Sequence, residues 1–110
     1  MATLTVPSTN TLDKYGLCRL DWISLAMRQG GVCGVCGKLP ESGRLNVDHD
    51  HVRGYKKMSQ VQKRLYVRGL LCYVCNKFFA MRGMTEEKAC KLVKYLASYA
   101  ERRANGQGQG

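Results

Sequence analysis

Negative charge is scarce in this chain of 110 residues. Eight Asp and Glu stand against eighteen Lys and Arg, a formal net charge of +10. Long apolar runs are missing too, and none approaches the roughly 20 residues that a membrane-spanning helix needs. The N-terminus, Met-Ala-Thr-Leu-Thr-Val-Pro, lacks the basic start and extended apolar stretch of an export signal. These absences set aside a membrane protein and a secreted precursor, and point to an intracellular domain. Nothing in the chain repeats except a pair of cysteine doublets. Hydrophobic residues nevertheless make up 45% of the sequence, which excludes wholesale disorder. The length suffices for one small domain.

What is abundant is cysteine, six residues in all. Four form two doublets, Cys33-x-x-Cys36 and Cys72-x-x-Cys75, while Cys18 and Cys90 stand alone. A C-x-x-C doublet brings two sulfurs to one turn, and two doublets complete a tetrahedral structural zinc site. A thioredoxin-like redox motif accounts for only one doublet and lacks its βαβ context. Disulfides need an oxidising compartment that no export signal supports. Gly31, Gly34 and Gly37 around the first doublet let the backbone wrap closely round an ion. Cys18 and Cys90 are expected to be small, half-buried apolar side chains.

Residues 1–11 read as an irregular arm with turn formers Pro7, Ser8, Thr9 and Asn10. Helical spacing runs from Leu17 to Gln29, with Leu20, Ile23 and Met27 on one stripe and Trp22 and Ala26 on the next. Gly30 and Gly31 stop it. After the first doublet, Leu45-Asn46-Val47 reads as a short strand leading into Asp48-His49-Asp50-His51. A basic connection over 52–66 then joins it to a β-like stretch from Leu65 to Leu71, implying two antiparallel strands. A helix is expected from Tyr73 to Met81, ending at Gly83. Another starts at Thr85, with Glu86 and Glu87 in its first turn. There Ala89, Leu92, Val93, Leu96 and Ala100 keep helical spacing, and Lys88, Lys91 and Lys94 mark the wet side. The spacing predicts an α+β domain over 12–104 and a flexible Gly/Gln tail over 105–110. Knuckle, two strands and a helix starting at the second doublet form the outline of a treble-clef zinc finger.

Both histidines of the chain fall in Asp48-His49-Asp50-His51. Taken alone, such a run is most often a solvated turn, and Asn76 a first-turn residue bonded to backbone. Beside the zinc doublets they answer one chemical need. Phosphodiester hydrolysis requires an activated water, a divalent ion at the phosphate and help for the departing 3′ oxygen. A neutral imidazole can take the water's proton near neutral pH. A carboxylate and an amide oxygen suit Mg²⁺.

Three stretches resemble the recombination endonuclease VII family, within the HNH or His-Me finger (ββα-metal) nucleases. They are Gly31-Val-Cys33-Gly-Val-Cys36-Gly37, Val47-Asp48-His49-Asp50-His51 and Val67-Arg-Gly-Leu-Leu-Cys72-Tyr-Val-Cys75-Asn76. The resemblance extends over roughly residues 15–80 and implies a zinc-stabilised His-Me finger core flanked by N- and C-terminal helices. It implies a phage DNA endonuclease, a branched-DNA resolvase or a nicking enzyme, acting in the host cytoplasm. Asp48 and Asn76 would hold Mg²⁺ or Mn²⁺, His49 would be the general base and His51 a further active-site group. Cys33, Cys36, Cys72 and Cys75 would hold the zinc. The best-known member is a homodimer that cuts branched DNA, so the partner is DNA, duplex or branched, and dimer formation is left open. The basic connection is longer than the family pattern, and the large C-terminal extension of that member is missing.

Arg53, Lys56, Lys57, Lys63, Arg64 and Arg68 place six positive charges, with no acid among them, between the strands. A charge run is often only a solvated face, but this one is placed to contact phosphates without reading bases. Two other functions compete with the nuclease. A non-catalytic zinc-finger DNA-binding module explains the charge and the cysteines but not Asp48, His49 and Asn76 together. A structural or adaptor protein of a phage particle has no residue speaking for it directly.

Overall fold

A computed structural model describes residues 3–80 and 83–106, with the side chains of residues 79 and 80 left aside. The expected C-terminal turn of the helix at Met81 and residues 107–110 of the tail lie outside the described residues. The chain is α+β. Its helices are α1 (Thr9–Asp13), α2 (Arg19–Arg28), α3 (Gln60–Leu65), α4 (Tyr73–Cys75) and α5 (Glu86–Ala104). Strands β1 (Asn46–His49) and β2 (Val67–Leu71) pair antiparallel. No described helix is long and apolar enough to cross a membrane.

The N-terminal arm becomes helical earlier than its turn formers suggest. The Ser8 hydroxyl accepts from the Thr11 amide at 3.3 Å, which caps α1. In α2 the Asp21 carboxylate accepts from the Cys18 amide at 2.9 Å at the entry turn. That bond, first among the causes, lowers the Asp21 pKa. The buried side of α2 is Trp22 and Ala26, whereas Leu20 and Met27 are both 75% exposed. The neighbouring stripe is therefore the core stripe. Trp22 packs with Leu12, Leu17, Leu45, Val47, Leu70 and Leu71, and Cys33 and Cys75 close the same core from the metal side.

Gln29, just past α2, ties the first cysteine doublet to the sheet. Its side-chain amide donates to the Val32 and Leu70 carbonyls at 2.8 and 2.9 Å, and its oxygen accepts from the Leu70 amide at 2.9 Å. One side chain thus pairs with the outer edge of β2 as a neighbouring strand would. A Cβ at Gly69 would lie 2.8 Å from the Gln29 oxygen, which explains the glycine there.

The connection 52–66, expected only as a basic link, holds a 3₁₀ turn (Tyr55–Lys57) and α3, and Leu65, expected to open the second strand, ends α3 instead. Ser59 and Gln62 cap α3 reciprocally, the Gln62 amide reaching Ser59 Oγ at 3.3 Å and the Ser59 amide reaching Gln62 Oε1 at 3.1 Å. After α4 the backbone widens into a π-helical turn, Asn76–Ala80.

Thr85 caps α5 through the Lys88 amide at 3.2 Å. None of the residues of α5 is buried, and Leu92, Val93, Tyr95, Leu96 and Tyr99 are exposed. Cys90 shares that exposure and Cys18 sits at the open start of α2, so the two cysteines outside the doublets are exposed rather than half-buried.

Candidate active site

The four paired cysteines converge. The Sγ atoms of Cys33, Cys36, Cys72 and Cys75 all lie within 4.8 Å of one another. Local turns aim them: the Val35 amide donates to Cys33 Sγ at 3.4 Å, and the Cys75 amide to Cys72 Sγ at 3.5 Å. The Gly34 amide docks the first turn on the Leu70 carbonyl at 3.0 Å. Burial opposes ionisation of Cys33, but donors from Cys72, Cys36 and Val35 outweigh it and bring this thiol down to about 6. Burial, with the neighbouring sulfurs, pushes Cys75 up to about 12. A cluster of four sulfurs that already favours one thiolate fits the donor set of a tetrahedral structural zinc site.

β1 reaches further than Leu45-Asn46-Val47, so Asp48 and His49 belong to the strand itself. The register shifts between them, with Asp48 opposite Gly69 and His49 opposite Val67. Arg68 is thus the extra residue of a β-bulge. It uses that position to grip Asp48, with Nε to Oδ2 at 2.9 Å and Nη2 to Oδ1 at 3.0 Å. Its Nη1 also donates to the Met84 carbonyl at 3.2 Å. The Asp48 side chain is buried, and the hydrogen bond to it raises the Arg68 pKa. Among the six basic residues of the connection and β2, Arg68 is therefore committed to a carboxylate inside the fold. Arg64 approaches Asp21 at 4.0 Å.

His49 lies against rings instead. Its centroid is 4.3 Å from Tyr55, 4.4 Å from His51 and 5.4 Å from Tyr15. Burial lowers its pKa, the adjacent His51 adds to this, and Asp48 opposes it. His49, His51, Arg53, Lys56 and Lys63 surround one cavity of about 860 Å³, together with Lys14, Tyr15 and Tyr55. No carboxylate lines it. Lys14 and Tyr15, which spacing did not single out, come from the turn after α1. Burial raises the Tyr55 pKa, keeping the phenol protonated.

Asn76 and Asp48 do not line that cavity. Asn76 faces a hollow with Asn46, Val47 and Tyr15, and Asp48 one with Arg68 and Gln29. A carboxylate and an amide oxygen are suitable donor types for a hard divalent cation. The Arg68 fork occupies one lone pair on each Asp48 oxygen and leaves another on each. The donor types suit such an ion, but the two side chains face separate hollows and Arg68 already holds the carboxylate.

A family model described as recombination endonuclease VII matches residues 8–101. Two relatives, each called Gene 59 protein, come from Mycobacterium phage D29 and Mycobacterium phage L5. Each is 37% identical over 71 residues, or 64% of this chain, and the match covers 36% and 37% of the two relatives. The chain thus spans little more than a third of the length of the relatives it matches. No solved structure matches it.

Proposed function

Because the chain belongs to the recombination endonuclease VII family, we propose that it is a divalent-metal-dependent DNA endonuclease with His49 as its general base. One observation carries this reading: an imidazole held towards its neutral form lines a cavity with four Lys and Arg and no carboxylate. A phosphate drawn there by Lys14, Arg53, Lys56 and Lys63 brings the scissile bond to a group able to accept a proton. A ring nitrogen of His49 takes the proton of the attacking water. The cations balance the negative charge that grows on the phosphate oxygens. Asp48 and Asn76 would hold Mg²⁺ or Mn²⁺, which when bound supplies charge neutralisation at the phosphate and the departing 3′ oxygen. Cys33, Cys36, Cys72 and Cys75 would hold a structural zinc and take no part in the hydrolysis. His51, next to His49, is a further active-site group.

The substrate in this reading is duplex or branched DNA in phage DNA processing. The outward apolar residues of α5 support assembly into a dimer. Relaxation of supercoiled plasmid in Mg²⁺, beside an EDTA control, tests the chemistry. His49→Ala should lower the nicking rate by about 10² to 10⁴ while DNA affinity and zinc content stay near wild type. Wild-type nicking by a folded His49→Ala protein would remove the base. A protein that binds DNA and cuts nothing would be the zinc-finger binding module instead.

A further inference from the structure

A general base needs a fixed orientation, and a hydrogen bond to its second nitrogen commonly supplies it. Among the described residues no side-chain hydrogen bond involves the His49 ring, which is flanked by other rings. Tyr55 makes the nearest and flattest of these contacts, at 4.3 Å and an interplanar angle of 25°. The His51 and Tyr15 rings are tilted at 40° and 50°. Tyr55 is itself held on its other sides. Its hydroxyl donates to the Lys63 carbonyl at 3.4 Å, and Tyr66 meets it edge-on at 6.4 Å. The Lys63 ammonium lies 5.9 Å from its centroid.

We propose that Tyr55 is a positioning residue, whose ring is the platform that holds the His49 imidazole in its working orientation. The inference rests on the reading of His49 as the base. Offset rings attract one another, and a ring fixed from several sides converts that attraction into a defined placement. Tyr55 and Lys63 both come from the connection 52–66, which also supplies Arg53 and Lys56 to the cavity. One segment therefore sets both where a phosphate sits and how the base faces it. The length of this connection acquires a purpose.

Plasmid or oligonucleotide cleavage gives kcat and KM separately for wild type, His49→Ala, Tyr55→Leu and Tyr55→Phe, with zinc content and thermal unfolding measured alongside. Misplacing a reacting group by about 1 Å costs on the order of 10²-fold, so Tyr55→Leu should lower kcat by about 10- to 100-fold. Its KM should stay within about threefold, the pattern of a loss confined to the transition state. Tyr55→Phe keeps the flat face and should restore kcat to within about threefold of wild type. Should Tyr55→Leu lose its fold, Tyr55→Met carries the same comparison without a flat ring. In NMR spectra the His49 ring protons should be shifted upfield in wild type and Tyr55→Phe, and relax downfield in the aliphatic variant. A folded aliphatic variant that cuts at the wild-type rate, with His49 still essential, overturns the positioning role alone. A wild-type protein that does not cut overturns the base, and the His49 shifts then decide the placement by themselves. Unchanged shifts in the aliphatic variant would overturn it.

Discussion

Gln29→Ala removes the side chain that joins the first cysteine doublet to the outer edge of β2. The Leu70 amide loses the Gln29 oxygen at 2.9 Å, and Leu70 is fully buried, so water does not easily replace it. The Leu70 carbonyl keeps the Gly34 amide at 3.0 Å, whereas the Val32 carbonyl loses its 2.8 Å partner. One buried unpaired donor and one half-buried acceptor should together cost about 2–3 kcal/mol. In a domain of this size that lowers Tm by roughly 10 °C or more. Gly69→Ala places its Cβ 2.8 Å from the Gln29 oxygen and must push that amide off Leu70. With Gln29 already gone, the added methyl has nothing to displace. The two substitutions should therefore be strongly non-additive, the double variant being no less stable than Gln29→Ala. Chemical denaturation of the four proteins with zinc at saturation measures the cycle. Losses that simply add would refute the strand-like role of Gln29.

Two further outcomes follow from the cysteine cluster and from His49. Metal analysis should find one zinc per chain, retained by Cys18→Ser and Cys90→Ser; chelation should unfold the domain, since zinc contributes on the order of 10 kcal/mol to such folds. Because burial and His51 lower the His49 pKa from its ordinary 6.5, the acid limb of kcat/KM against pH should lie below 6.5, and a limb above it would refute the neutral base. The same shift makes the unfolded chain the better proton acceptor, so the His49 contribution to stability, whole above 6.5, is lost as pH falls below 6.5 through the lowered folded pKa.

The cysteine doublets, the two strand segments and the Thr85-capped helix were legible because each carries its pattern in residues close in sequence. The α3 capping box, Ser59 and Gln62, was equally local, yet the Lys and Arg around it made the stretch read as a plain basic connection. On α2, two apolar stripes lie side by side, and only contact with Leu45 and Leu70 selects Trp22 over Leu20. Gln29 had no local signal, since its partners Leu70 and Val32 are assembled by the fold. Arg68 read as one more phosphate-facing cation. Its commitment to Asp48 arises from a β-bulge that charge counting does not contain.

That bulge bears directly on how a base and a carboxylate can be neighbours in sequence. Successive residues of a strand point to opposite faces. Asp48 therefore meets Arg68, while His49 meets Tyr55, His51 and the basic cavity. A bare carboxylate next to an imidazole favours its protonated form, which cannot accept a proton. Asp48 does act in that direction, but burial, His51 and the Arg68 charge all act the other way. The guanidinium thus acts on two groups at once: it satisfies a buried carboxylate and counters part of that carboxylate's effect on His49. Burial and His51 therefore come first in lowering the His49 pKa, and Arg68 adds to them from across the strand pair.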